Sequence, residues 1–267
     1  FRRVLFRSGT DAIISCGTTG EASTMTDEEQ IEVISYCVDK VKGRVPVIAG
    51  AGSNDTKHGV NLSVEAEKAG ADALLQVTPY YNKATQKGLI QHYNAIADSV
   101  NIPIILYSVQ GRTGVNIKPS TVVELAKHPN ITAIKEASGN ISQCAEIARL
   151  VPEDFSIYSG NDDQIVPVMS LGGSGVISVL ANLLPKNIHD ITKEMLSGDY
   201  ISAKDAQLSY EKLIEKLFTE VNPIPVKAAL NMMGMDVGPV RLPLTELEET
   251  HKNELKRAMS EVGIRSL

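Results

Sequence analysis

A lysine closes the apolar run Ile131-Thr132-Ala133-Ile134-Lys135-Glu136-Ala137, and its setting points to chemistry. The β-branched composition of the run predicts a strand that delivers Lys135 near its C-terminal end. Period-two alternation puts Lys135 on the same face as Ile131 and Ala133. Lysine on an apolar face is rare unless it has a task. For an amine to act as a nucleophile at neutral pH, its pKa must fall from about 10.4 to about 7 or 8, a desolvation worth roughly 4 kcal/mol. An apolar cavity mouth can supply that. The alternative is a lysine whose stem lies along the rim while its ammonium reaches water.

Other residues offer matching chemistry. In Cys16-Gly17-Thr18-Thr19-Gly20-Glu21, two glycines permit close backbone approach, and two hydroxyls with free N–H groups form a nest for a carboxylate or phosphate. The same residues also suit a tight turn with solvated threonines. The segment is not a phosphate-binding P-loop, because the lysine is missing. Tyr107 closes another apolar run and is able to relay a proton, or alternatively to sit at a wet interface. Arg112, within Gly111-Arg112-Thr113-Gly114, can clamp a carboxylate through two parallel hydrogen bonds or remain a solvated arginine. Tyr80 and Tyr81, after Thr78-Pro79, read as interface residues. The five histidines show no ligand spacing, and neither HExxH nor paired CxxC occurs, so neither a metal nor a cofactor is expected.

Positioning these residues falls to a regular alternation. Predicted strands at 11–16, 46–49, 73–77, 103–107, 131–136, 155–158 and 175–179 are separated by helices at 27–42, 56–69, 85–99, 119–127, 141–150 and 163–171. Ile31, Ile34, Val38 and Val41 show the helical period. Gly172-Gly173-Ser174-Gly175 is no dinucleotide fingerprint and opens the last strand. Beyond residue 185 only helices follow, at 185–197, 200–219, 225–233 and 246–262. Apolar strands each followed by a helix imply a parallel sheet covered on both faces. Seven near-equal units favour a TIM (β/α)8 barrel over a doubly wound open sheet. Tyr107 and Lys135 then end adjacent strands roughly 5 Å apart, on the barrel face where active sites lie.

One strand of eight is missing from that pattern. Residues 1–8 are basic and apolar, lack an initiating Met, and carry no signal-peptide pattern. Arg3 to Arg7 cannot be the absent parallel strand, because only Ser8, Gly9 and Thr10 separate that run from the next strand, too few for a crossover. The expectation is an α/β chain with an N-terminally truncated barrel: residues 1–8 stand where the first barrel helix belongs, 9–197 form the barrel and 198–267 a C-terminal helical region. An open barrel would expose two strand edges.

The 267 residues carry a formal charge of −6 without a block of like charges, so neither nucleic acid nor an anionic membrane surface is an expected partner. No apolar run approaches the roughly 18 residues of a membrane span. Three unpatterned cysteines read as reduced thiols in a cytoplasmic protein.

The ordered set Gly17-Thr18-Thr19-Gly20-Glu21, Thr78-Pro79-Tyr80-Tyr81, Leu106-Tyr107, Gly111-Arg112-Thr113-Gly114, Ile134-Lys135-Glu136-Ala137, Ser159-Gly160-Asn161-Asp162 and Asn222-Pro223-Ile224-Pro225-Val226-Lys227 resembles the dihydrodipicolinate synthase family. That family belongs to the pyruvate-dependent Schiff-base aldolases, and the likeness runs from about Gly9 to the end. The resemblance implies an imine between Lys135 and pyruvate, with Thr18 and Thr19 holding the pyruvate carboxylate and Gly160 and Ile177 lining its site. It implies proton relay from Tyr107 through Thr18 to Tyr81, the latter reaching in from a neighbouring subunit. Arg112 would hold aspartate semialdehyde, in a tetramer built of tight dimers. Tyr107-Ser108-Val109-Gln110 departs from the family's Tyr-Asn-Val-Pro, which is expected to loosen the loop carrying Tyr107 and Arg112. In the family's lysine-inhibition pocket, Asn54 and Tyr80 remain while Asp27, Gln30 and His58 differ, so lysine inhibition is expected to be weak or absent. A sibling aldolase acting on another aldehyde, or an inactive truncated fragment, are the alternatives.

Overall fold

The computed structural model of the chain describes residues 9–266; the expectation placed on residues 1–8 lies outside them. Seven strands form one sheet in sequence order: β1 (Ile13–Ser15), β2 (Val47–Gly50), β3 (Ala73–Val77), β4 (Ile104–Ser108), β5 (Ile131–Glu136), β6 (Ser156–Ser159) and β7 (Gly175–Val176). Every neighbouring pair is parallel. Helices α1 (Asp27–Val41), α2 (Thr56–Lys68), α3 (Gln86–Ala97), α4 (Gln110–Thr113), α5 (Pro119–Leu125), α6 (Ile141–Leu150) and α7 (Ile165–Ser170) lie between and after the strands. Then come α8 (Pro185–Ser197), α9 (Tyr200–Leu217), α10 (Ile224–Met232) and α11 (Glu249–Glu261).

Alternation along each strand divides the apolar residues between two cores. Ala49, Leu74, Ile104, Leu106, Ile134 and Ile157 pack outward against Ile34, Leu62, Leu89, Val122 and Ile147 of the covering helices. The opposite face collects Ile14, Ile48, Leu75, Ile105, Tyr107, Ala133, Tyr158 and Ile177 in a single inner cluster. Residues from β1 to just past β7 can meet in one cluster only if the sheet curls around them. A third core, built by α7 to α11, includes Ile165, Ile191, Leu213, Val226 and Leu255.

Local chemistry accounts for the helix starts. Thr26 and Glu29 close a reciprocal capping box at α1, while Asp55, Thr85 and Asn140 cap α2, α3 and α6 through their side chains. Prolines pre-set the first turn of α5 and α8.

Three expectations need correction. Ile131 does not share the inward face with Ala133 and Lys135: it packs in the outer core, because the β4–β5 register slips by one residue between Ile104 and Ile105. The last strand stops at Val176 rather than 179, since the N–H groups of Val179 and Leu180 turn to the carboxylate of Asp162. Arg112, read as lying on a loop, sits in the short helix α4, whose Thr113 hydroxyl donates to the Val109 carbonyl and accepts from Thr78.

Candidate active site

The β4–β5 ladder fixes the centre of the site. Tyr107 and Lys135 are direct register partners, and the Lys135 ammonium stands 4.3 Å from the Tyr107 ring centroid. Lys135 is 9 % exposed among inner-face residues, with its ammonium beside an aromatic ring. Gly160 provides the room beside it. A Cβ there would lie 2.5 Å from Ala137 Cβ and 3.1 Å from Lys135 Cε, and the Gly160 N–H donates to Glu136 O at 2.7 Å. Any side chain at 160 would therefore push on the lysine stem.

Behind the lysine, Glu136 is buried and fully engaged. It accepts from Gln143 Nε2 at 2.8 Å and from the Ser138 N–H at 2.6 Å. Gln143 exchanges two hydrogen bonds with Asn116, whose Oδ1 accepts from Ser108 Oγ at 3.2 Å. Ser108 Oγ also accepts the Ile117 N–H. The segment where Ser108 and Gln110 stand is held to its neighbours by the Ser108 hydroxyl and by the Thr78–Thr113 contact.

Across the mouth, Gly17, Thr18 and Thr19 follow β1. Cys16 takes a left-handed backbone, φ +54°, and its carbonyl passes so close to Gly50 that a Cβ there would lie 2.1 Å away. The chain then closes a 3₁₀ turn at Thr18–Gly20. Thr19 Oγ1 accepts from Asn222 Nδ2 at 2.9 Å, and the Asn222 carbonyl accepts from Arg112 Nη2 at 3.2 Å. One residue from the helical region therefore bridges the threonine turn and the arginine.

Ile177 donates its N–H to Ser159 O at 2.9 Å and packs in the inner cluster. Its segment is pinned by Asp162, a fully buried carboxylate that accepts from Ser178 Oγ and from the N–H groups of Val179 and Leu180. Burial pushes the Asp162 carboxyl upward, and those hydrogen bonds together with the charge of Lys135 offset part of the effect.

These residues meet in one cavity of about 1390 Å³: Thr18, Thr19, Tyr107, Arg112, Lys135, Gly160 and Ile177 all line it. Tyr81 does not. It projects from a left-handed backbone position and is 91 % exposed. Asn54, His58 and Tyr80 do not line the cavity either: Asn54 and Tyr80 stand on the β2–α2 and β3–α3 loops, and His58 in the first turn of α2. Asn54 Nδ2 donates to Tyr80 O at 3.1 Å, while the His58 ring contacts both carboxylate oxygens of Asp27 at 2.9 Å and Ser53 Oγ at 2.9 Å. Among the described residues, no group of His, Cys, Asp and Glu side chains has the arrangement of a metal site.

Sequence reasoning singled out neither Asn222 nor Asp162 as site-shaping residues beyond their place in motifs. A partner 203 residues away leaves no periodic signal. Two adjacent acids follow Asn161, and nothing local tells which of them turns inward.

With this geometry in place, known proteins supply the family. A model of the Dihydrodipicolinate synthetase family matches residues 3–262. The chain belongs to that family. A 4-hydroxy-tetrahydrodipicolinate synthase from Caldicellulosiruptor saccharolyticus is 62 % identical over 255 residues, covering 96 % of this chain and 86 % of the relative. Among solved structures, the chloride-inhibited dihydrodipicolinate synthase from Acinetobacter baumannii complexed with pyruvate superposes with a TM-score of 0.96 at 42 % identity, covering 98 % of this chain and 90 % of that one. The enzyme from Cyanidioschyzon merolae with lysine bound gives 0.95 at 42 % identity, covering 97 % and 89 %.

Proposed function

We propose that this family member is a lyase that condenses pyruvate with L-aspartate 4-semialdehyde through an imine on Lys135, giving 4-hydroxy-tetrahydrodipicolinate. The observation that carries the reading is the Lys135 amine, nearly buried and 4.3 Å from the Tyr107 ring at the mouth of the cavity that Thr18, Thr19 and Arg112 also line. Lys135 attacks the pyruvate ketone and water leaves. The imine is an electron sink, so the methyl group gives up a proton and becomes an enamine, which attacks the aldehyde carbon. The semialdehyde amine then adds to the imine carbon, closes the ring and expels Lys135.

In this scheme Thr18 and Thr19 hold the pyruvate carboxylate, with Gly160 and Ile177 lining its site. Tyr107 relays protons through Thr18 to a Tyr81 that enters from the neighbouring subunit of a tight dimer, a placement that the exposure of Tyr81 supports. Arg112 binds the carboxylate of the semialdehyde. The enzyme then works as a cytoplasmic tetramer of two tight dimers in lysine and diaminopimelate synthesis. The seven parallel strands, six of which share one inner cluster with Ile177 just past β7, support seven positions of an eight-stranded (β/α) barrel, the remaining position lying between β7 and β1. Because Asp27 and His58 bind each other, lysine inhibition is weak or absent; a low-micromolar inhibition constant would contradict this.

The test is steady-state turnover with pyruvate and a panel of aldehydes. Aspartate semialdehyde should give the highest kcat/KM. A sugar-derived aldehyde preferred over it, or folded protein inert with all of them, would overturn the assignment.

A further inference from the structure

Glu21 ends the threonine turn with φ +58°, a conformation that side-chain-bearing residues seldom adopt, and both of its carboxylate oxygens are taken by the helical region. Oε2 accepts from Lys227 Nζ at 2.7 Å and Oε1 from the Arg241 N–H at 2.7 Å. Lys227, on α10, spends a second donor on Pro239 O at 2.5 Å. The Arg241 guanidinium then reaches back to both oxygens of Glu29 at 2.8 Å, at the start of α1, and to Thr24 O at 3.1 Å. The Glu21 and Lys227 side chains are only 12 % and 15 % exposed, so salt screens their attraction little. Burial opposes ionisation of Glu21, yet the Lys227 and Arg241 hydrogen bonds and charges outweigh it and hold the carboxyl below its ordinary range.

Such an arrangement exceeds what a solvated turn requires. Three residues after Thr18, the backbone is fixed by a desolvated ion pair to a helix 206 residues away, while Thr19 is held by Asn222 from the same region. We propose that Glu21 and Lys227 are positioning residues: their ion pair lets the C-terminal helices set the geometry of the Thr18–Thr19 turn, and with it the enzyme's affinity for the carboxylate of a 2-oxo acid. This inference rests on the reading of Thr18 and Thr19 as carboxylate ligands. Neither member of the pair touches the reacting atoms in it; two donors of Lys227 are committed to Glu21 and Pro239.

Steady-state kinetics on Glu21→Gln, Lys227→Met, the double variant and Lys227→Arg, alongside Thr19→Val and thermal unfolding of each, tests it. Each neutralising single variant should raise the pyruvate KM about tenfold while kcat and the aldehyde KM move by less than about threefold. The double variant, which leaves no unpaired buried ion, should be no worse than the poorer single one. Lys227→Arg, which keeps the charge, should stay within about threefold of the unaltered enzyme. Should a single variant fail to fold, the double variant and Lys227→Arg carry the same comparison. A folded double variant whose pyruvate KM is unchanged overturns the inference, as does a loss spread over kcat and both KM values that merely follows the melting temperature. If Thr19→Val leaves the pyruvate KM unchanged, the underlying reading of the turn has failed and takes this inference with it. If Thr19→Val raises KM but the double variant does not, the ion-pair inference alone has failed.

Discussion

Strands β4 and β5 and the segment around helix α10 line the same cavity, and they fix their residues by different means. On the strand side, position follows from backbone register. Tyr107 faces Lys135 because five ladder positions place them there, and Gly160 leaves the space the lysine stem occupies. On the helical side, no ladder exists, and Asn222, Lys227 and Arg241 reach the threonine turn through long-range side-chain contacts. Register is shared among many hydrogen bonds, so no single side chain sets it. Contacts of the second kind each depend on one or two atoms, and removing one partner costs the other that hydrogen bond outright. The strand side should therefore govern the chemical step and the helical side substrate affinity.

Substitutions that attack the strand side test the first half of that contrast. Tyr107→Phe keeps the ring beside Lys135 but removes the hydroxyl, and kcat should fall by about 10²–10⁴-fold with little change in unfolding temperature. An unchanged kcat would place the proton relay elsewhere. Gly160→Ala forces a methyl group against Ala137 and the lysine stem. Displacing the amine by about 1 Å should cost on the order of 10²-fold in kcat/KM, with about 1–3 kcal/mol of overpacking strain visible in denaturant titration.

Smaller changes sharpen the contrast. Ser108→Ala removes the contacts to Asn116 and Ile117 and should destabilise the fold by about 1–2 kcal/mol. Its kcat should move by less than about threefold if register, rather than this hydroxyl, positions Tyr107. On the helical side, the Arg241 guanidinium and the Thr26 N–H hold the exposed Glu29 carboxyl down to about 2. A carboxyl depressed in the folded state stabilises it above the ordinary value of about 4.3, and that contribution is lost as pH falls through the folded value. The melting-temperature deficit of Arg241→Gln at neutral pH should accordingly shrink between about pH 4.3 and about pH 2. A deficit constant across that window would mean that the pair contributes packing alone.

The same contrast explains what the sequence could show. Seven strands, their order and the placement of Lys135 beside Tyr107 were legible because a βα repeat leaves a local, periodic trace and each strand carries its residue at its end. Ile131 was misplaced because a one-residue register slip looks like unbroken alternation in the sequence. The last strand ends earlier than its apolar run suggests, because nothing local shows that a buried Asp162 takes the N–H groups of Val179 and Leu180. Asn222 and the Glu21–Lys227 pair escaped reading for the same reason. Their partners lie more than 200 residues away, and only the folded chain brings them together.

Trapping the intermediate tests the central claim most directly. The protein is incubated with pyruvate, reduced with borohydride, digested and analysed by mass spectrometry. Reduction should leave one pyruvate-derived adduct, on the peptide that carries Lys135, and none in the Lys135→Ala variant. An adduct on another lysine, or none on folded protein, would contradict the assignment of Lys135 as the imine-forming nucleophile.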